Sequence, residues 1–193
     1  MKLVYRMGIA LLMAGGLFAF YACSGNSGDG EQAAESTDTS ESMQQDSNRG
    51  TASATFGEQT VTVNYGRPKM EGRDMLGQAT EGMVWRMGMN DATTISTSAD
   101  MAFGDIVIPA GDYSLFMKKA GDSWELIFNS QTGQWGTQHD AALDVATVPM
   151  MTTENDESVD TFTIEVSAAD ETSGTLAAKW GTAIVSCDFN IGG

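Results

Sequence analysis

Four basic residues of an otherwise acidic chain fall within one short stretch: Arg67, Lys69, Arg73 and Arg86. Residues 51–193 contain only three other Lys or Arg residues, against 20 Asp and Glu. Arginine presents a planar fork of donors that matches the oxygens of carboxylate, sulfate and phosphate groups. We therefore expect Arg67, Arg73, Arg86 and the nearby amide of Asn90 to line one binding site for an anionic or polyhydroxylated ligand.

A structural role for the same arginines is the alternative. Acidic residues are interspersed with them, and ion pairs would fix this long connection onto the rest of the domain. The sequence does not decide which pairs form. The acidic residues in question are Glu71, Asp74, Glu81 and Asp91.

A second candidate for ligand binding is the polar loop of residues 129–140, in which Trp135 stands among amides and hydroxyls. A sugar ring stacks on an indole while amide side chains satisfy its hydroxyl groups, so this composition suits a glycan. The alternative is that Trp135 packs back onto the core and the loop is merely solvated.

The sequence gives little support for catalysis. His139 is the only histidine, and although Asp140 adjoins it, no nucleophile occurs in a recognisable setting. We interpret His139 as a surface or loop-stabilising residue and predict no catalytic residue. No Gly-rich phosphate loop, zinc spacing or calcium loop is present, so we also predict no cofactor and no metal site.

Two weaker hypotheses stay open beside a non-enzymatic binding or scaffolding domain. Carboxylate pairs for an envelope hydrolase acting on glycan can be assembled from many acids, but an acid-rich surface makes them uninformative. A metal or redox-buffering role rests on thirteen methionines, among them Met87 and Met89, whose thioethers would suit copper(I). Methionine is more often flexible core filler.

The pattern that must position these residues is that of β-strands. Polar and apolar residues alternate in residues 60–65, 161–166 and 183–189, as in half-buried strands. Roughly eight or nine short strands recur, separated by Gly, Asp and Ser turns, and residues 76–83 could form one or two helical turns. We predict an all-β domain, an antiparallel β-sandwich or jelly-roll-like barrel. Two hairpins are also predicted, joining residues 106–108 to 113–118 and residues 113–118 to 124–129.

Cys187 shares the alternating face of Val185 and Phe189, which predicts a buried core thiol rather than a nucleophile.

The N-terminal segment is typical of an exported lipoprotein. Residues 1–22 have a basic start and an uncharged apolar run that ends in a small residue directly before Cys23, which predicts a signal peptide followed by lipidation of Cys23. Acyl chains on Cys23 would tie the protein to a membrane. Ser24 after the cysteine favours the outer membrane. Residues 23–50, poor in apolar side chains, predict a disordered acidic linker, and residues 51–193 a single domain.

The formal charge of −16 excludes some partners. A chain so acidic has no broad basic face for nucleic acid or anionic lipid, so neither is expected as a partner of the domain. A protein partner cannot be identified from the sequence.

Several motifs together resemble the domain-of-unknown-function 2911 family, a group of mostly secreted bacterial proteins and lipoproteins without an assigned activity. They comprise a Tyr-x-Arg-Pro element at residues 65–68, a Gly-Arg element at residues 72–73, a Trp-Arg-x-Gly-x-Asn element at residues 85–90, and the segments at residues 109–116 and 124–136. The resemblance covers most of residues 54–166. It implies an exported β domain and supplies no reaction.

Overall fold

The computed structural model describes residues 48–192, which form ten β-strands and one short 3-10 turn, Ala141–Leu143. No α-helix occurs within these residues, and none of their helical segments is long and apolar enough to cross a membrane. The strands are β1 (Arg49–Phe56), β2 (Gln59–Gly66), β3 (Val84–Trp85), β4 (Thr93–Thr97), β5 (Met101–Phe103), β6 (Ile106–Ile108), β7 (Gly111–Ala120), β8 (Ser123–Asn129), β9 (Asp144–Ala168) and β10 (Ser173–Ile191).

Alternating side chains explain why these segments are strands. In β2, Val61, Val63 and Tyr65 are buried, while Asn64 faces outward and pairs across to Thr51 of β1. Successive side chains of a strand point to opposite faces, so such a pattern gives one apolar face for a core and one polar face for water.

All pairings are antiparallel, and the strand order is β1-β2-β4-β7-β8-β9-β10-β5-β6, with β3 also paired to β7. The long strand β9 pairs with β8 up to Met150 and with β10 from Met151 onward. The sheet folds over a single main core, because rings from distant strands meet, as in the Phe56–Phe189 contact at 5.4 Å. The prediction of an antiparallel all-β fold is confirmed.

One of the two predicted hairpins is wrong. β6 pairs with β5, whereas β7 pairs with β3, β4 and β8, so residues 109–110 carry the chain from one part of the sheet to another. A short strand, a turn and a second strand look the same in sequence whether the chain folds back or crosses over. The hairpin between β7 and β8 is confirmed.

Residues 76–83 form turns and no helix. The Asp74 carboxylate accepts a hydrogen bond from the Gly77 amide at 2.8 Å, and the Gln78 amide donates to the Asp74 carbonyl. Gly77 and Gly82 interrupt the stretch, which favours turns over helix continuation. Leu76 alone is fully buried there and pins the segment to the core.

Cys187 is a free, buried thiol on the face of β10 that also carries Val185 and Phe189, as predicted. Burial, reinforced by the neighbouring Asp188 carboxylate, raises the pKa of the Cys187 thiol to about 12.

The predictions for the N-terminal segment concern residues that the structure does not describe. The signal peptide, the lipidation site at Cys23 and nearly all of the linker lie before residue 48. At the end of the predicted linker the boundary needs correction, because Arg49 and Gly50 pair with Gly66 and Tyr65 as the first residues of β1.

Candidate functional site: two adjoining cavities

Residues 67–92, which carry the clustered basic side chains, are called the basic stretch. The first part of this stretch runs along β9. After β2 ends at Gly66, the Met70 amide donates to the Asp160 carbonyl at 2.8 Å, and the Phe162 amide donates to the Pro68 carbonyl at 2.9 Å. These bonds hold the backbone on either side of Lys69 against the middle of β9.

The second part is a loop of residues 86–92 that leaves the sheet and is called the excursion. β3 and β4 lie end to end along the same edge of β7, because Trp85 pairs with Met117 and Thr93 pairs with Leu115. Phe116 is the one β7 residue between these two partners, yet residues 86–92 must all fit opposite it. They therefore leave the sheet plane as a loop that carries Arg86 and Asn90.

Buried polar contacts fix the shape of this excursion. The Thr93 hydroxyl donates to the Met87 carbonyl at 2.7 Å, and the Gly136 amide donates to the Asn90 carbonyl at 2.9 Å. Met87 and Asn90 have φ of 50° and 61°, a left-handed backbone that non-glycine residues seldom adopt. A side chain on Gly136 would overlap the stem of Arg86, so glycine there lets Arg86 lie against the backbone of the neighbouring loop.

The two parts of the basic stretch meet at a cavity of about 660 Å³, here called the basic cavity. Four of the sequence-predicted site residues line it: Arg67, Arg73, Arg86 and Asn90. Lys69, on the same stretch, lines it too, although the site predicted from the sequence does not include it. The remaining lining residues are Asn48, Pro68, Glu71, Met89 and Thr161.

The arginines of the basic cavity differ in their partners. Arg73 pairs with Glu71 at 3.2 Å, and both side chains are about two-thirds exposed (68% and 66%). Within residues 48–192, neither Arg67 nor Arg86 forms an ion pair. The structural alternative, in which ion pairs fix the connection onto the domain, is left with the Arg73–Glu71 pair, which joins two exposed residues of the same stretch.

Two acids that might have paired with the arginines are engaged elsewhere. The Glu81 carboxylate accepts a hydrogen bond from the Gly121 amide at 2.8 Å, and Asp74 accepts from Gly77 as described above. Both carboxylates stabilise turns. Glu71 is therefore the one acidic residue that lines the basic cavity.

A second cavity, of about 420 Å³, adjoins the first and is called the aromatic cavity. The two share Pro68, Arg73, Arg86 and Met89 in their walls. The other lining residues are Met75, Val84, Trp85, Gly88, Phe116, Gly136, Thr137, His139 and Trp180. Trp85 and Trp180 stack at 5.6 Å with their planes 13° apart, which gives this cavity a rigid aromatic wall.

His139 is held in the wall of the aromatic cavity by a partner that the sequence did not reveal. Its Nε2 lies 2.8 Å from the Asp144 carboxylate, and its ring packs at 4.6 Å from that of Phe116. The buried Asn129 side chain donates to the same Asp144 oxygen at 2.7 Å. The carboxylate of Asp140, the next residue in sequence, accepts a hydrogen bond from the Ala142 amide.

Trp135 lies apart from both groups of lining residues. Its backbone forms a bridge with Asp91, and its side chain is 48% exposed, so it does not pack back onto the core. A sugar-stacking role for Trp135 stays a prediction. Trp135 lines neither cavity, although the next residue, Gly136, lines the aromatic cavity.

The described residues offer little for metal binding. Between residues 48 and 192, no group of three or more His, Cys, Asp or Glu side chains is placed to hold a metal ion. Met87 is fully buried in the core, whereas Met89 lines the cavities, so the two thioethers do not face one common space.

Comparison with protein families gives a match over residues 47–189, to a family described as protein of unknown function (DUF2911). The chain belongs to this family. The matched range contains every strand from β1 to β9 and all the residues that line the two cavities. No curated protein and no solved structure shows significant similarity to this DUF2911 domain.

Proposed function

We propose that this DUF2911 protein is a non-enzymatic binding domain that takes up a small anion in its basic cavity and is displayed from the bacterial envelope by a lipid on Cys23. The observation that carries the binding proposal is the convergence of Arg67, Arg86 and Lys69 on one cavity, with Arg67 and Arg86 free of ion pairs within residues 48–192.

Electrostatics favours this reading over an accidental cluster. A domain with an excess of carboxylates repels anions over most of its surface, and a concave site lined by one sign of charge concentrates the field within it. Guanidinium groups without a carboxylate partner keep their donors available, and each charge-assisted hydrogen bond to an anion is stronger than a neutral one. The Glu71 carboxylate is already paired with Arg73. Arg67 and Arg86 are therefore left to bind an anion from outside the protein.

Calorimetric titration of the protein with inorganic phosphate and with sulfate tests the proposal. Arg67→Ala and Arg86→Ala should each weaken phosphate binding about tenfold or more, because each removes charge-assisted hydrogen bonds. Lys179→Ala is the matched control, since it removes the same charge from β10, where Lys179 pairs with Glu165 at 2.6 Å. It should leave phosphate binding unchanged.

Thermal unfolding of the same variants separates binding from structure. We expect Arg86→Ala to lower the free energy of unfolding by about 1 kcal/mol, because the packed aliphatic stem of the arginine is removed. Replacement of an arginine that neutralises a buried carboxylate would lower the free energy of unfolding by about 3 to 5 kcal/mol. Losses of that size in both Arg67→Ala and Arg86→Ala, together with no phosphate binding by the unaltered protein, would overturn the proposal and leave the motif a structural lock.

The anchor is supported by sequence alone: the signal-like segment of residues 1–22 and the cysteine that follows it. Two or three acyl chains give a membrane attachment that a soluble domain lacks. Cys23→Ser should therefore move the protein from the membrane fraction to the soluble fraction while its thermal unfolding stays the same. Membrane retention of this variant after cleavage of the signal segment would refute lipidation at Cys23.

A further inference from the structure

We infer that the ligand of this domain is an amphiphilic anion, with its charged group in the basic cavity and a compact apolar group in the aromatic cavity. The inference rests on the proposed anion site and extends it to the class of molecule bound. The two cavities share the side chains of Arg73, Arg86 and Met89, so a ligand held by the arginines lies directly beside the aromatic cavity.

The walls of the two cavities differ in chemistry. Basic and amide side chains dominate the larger one, as described above. The smaller one presents Met75, Val84, Trp85, Phe116 and Trp180, and its volume of about 420 Å³ falls within the range of small-molecule sites. An apolar group placed there leaves water for an apolar surface, which stabilises the complex in proportion to the area buried.

Contacts within the protein hold the aromatic wall in place. Trp85 and Trp180 are 6% and 2% exposed and stacked on each other, and Phe162 packs edge-on against Trp85 with ring centroids 4.9 Å apart. The Trp180 indole also donates to the Asp160 carbonyl at 3.1 Å, within the segment of β9 that holds the basic stretch. A preformed wall requires little ordering on binding, so its contacts appear in the affinity.

Thr137 and His139 add polar atoms to this wall and limit the apolar group in size. His139 uses Nε2 for Asp144, and its ring is fixed by Phe116. The site therefore favours a compact ring or short alkyl group attached to the anion.

Calorimetric titration with methyl phosphate and phenyl phosphate tests the inference, because the two monoesters carry the same charged group. Phenyl phosphate should bind about tenfold more tightly. Phenol, which has the ring without the charge, should bind much more weakly than phenyl phosphate. Equal affinities for the two esters, or for phenol and phenyl phosphate, would overturn the inference.

A pair of variants places the apolar group. Val84 lines the aromatic cavity and is 40% exposed, so Val84→Asn adds polarity there without a change of charge and without opening the core. It should reduce the advantage of phenyl over methyl phosphate by at least about threefold. Val107→Asn is the control, at a position 55% exposed on β6 and outside both cavities. An unchanged ratio in Val84→Asn would contradict the placement of the ring.

The two levels of the proposal fail in different ways. If no phosphate ester binds, the anion site itself is refuted. If methyl phosphate binds and loses affinity in Arg86→Ala, but phenyl phosphate binds no better, the anion site stands and the amphiphilic ligand is refuted.

Discussion

Strand β10 and the stretch of residues 67–92 lie in contact with the same core, yet their backbones follow different rules. In β10, Val185, Cys187 and Phe189 alternate regularly and are all buried. The stretch 67–92 instead contains every non-glycine residue between 48 and 192 with a left-handed backbone, at Glu71, Met87 and Asn90.

Backbone strain of this kind persists only where the surrounding structure enforces it, and it often accompanies binding sites. Here the enforcing contacts come from β9, from Thr93 at the start of β4 and from the loop at Gly136. Glu71 and Asn90 both line the basic cavity. From this comparison we infer that the regular strands stabilise the domain. Part of that stability offsets the backbone strain that places the cavity-lining side chains of the irregular stretch.

The largest expected effect comes from breaking the close approach between β2 and the excursion. A Cβ on Gly66 would overlap the Met89 carbonyl oxygen and lie 2.7 Å from the Met89 amide nitrogen, and backbone atoms cannot move aside cheaply. We expect Gly66→Ala to lower the free energy of unfolding by about 3 kcal/mol and to abolish phosphate binding. Urea unfolding and calorimetry measure the two effects.

Gly57→Ala is the comparison for Gly66→Ala. Gly57 has a φ of 58° in the β1–β2 turn and no atom within 4 Å of an added Cβ, so only backbone strain of about 1 to 2 kcal/mol applies. Equal losses of stability, with binding retained in both variants, would show that the approach of Met89 to Gly66 does not shape the site.

A second test uses the pH dependence of the buried thiol. The pKa of Cys187 is about 12 in the folded domain, against an ordinary 9.0, so burial favours the neutral thiol. The neutral thiol therefore makes its full contribution to the free energy of unfolding below pH 9, and this contribution is lost as the pH rises towards 12. By pH 11 the free energy of unfolding is lower by about 2 to 3 kcal/mol.

Comparison with Cys187→Ala isolates this contribution. The stability difference between the two proteins, measured by urea unfolding, should shrink or reverse from pH 8 to about pH 11. Native Cys187 should also resist thiol reagents at neutral pH and react only on unfolding. Rapid labelling of the folded protein would contradict the burial of the thiol.

A third test separates stability from site geometry on one strand. Thr93 and Thr97 of β4 are both buried, and each donates its hydroxyl to a carbonyl, of Met87 at 2.7 Å and of Ala99 at 2.6 Å. Thr93→Val and Thr97→Val should each cost about 1 kcal/mol. Only Thr93→Val should weaken phosphate binding, because only Thr93 holds the excursion. Equal effects on binding would break the distinction between the two regions.

The smallest effect is expected at the exposed pair Arg73–Glu71. Exposed ion pairs contribute about 0 to 1 kcal/mol, so Glu71→Gln should leave thermal unfolding nearly unchanged. It should strengthen phosphate binding modestly, since it removes a carboxylate from the basic cavity and frees Arg73. Weaker binding in Glu71→Gln would mean that Glu71 positions Arg73 for the ligand rather than competing with it.

The regular parts of this protein follow from local patterns in the sequence. Two-residue alternation in β2, in β10 and in the β9 segment at 161–166 is a local property, so it predicted the strands and the burial of Cys187. Local pattern did not predict β1, nor did it predict β3 or β5, which have only two and three residues. It also misassigned the partner of β6. Alternation specifies a face, and the identity of the neighbouring strand depends on packing between distant segments.

The candidate site was predicted as a set of residue types and was assembled only by the tertiary structure. Arg67, Arg73, Arg86 and Asn90 are near one another in sequence, but they share a cavity because β9 holds residues 68–70 and because β3 and β4 leave residues 86–92 outside the edge of β7. Thr161 in that cavity, and the partnership of His139 with Asp144, gave no local signal. Such contacts arise where long-range strand pairing brings irregular segments together, and no short window of sequence contains that information.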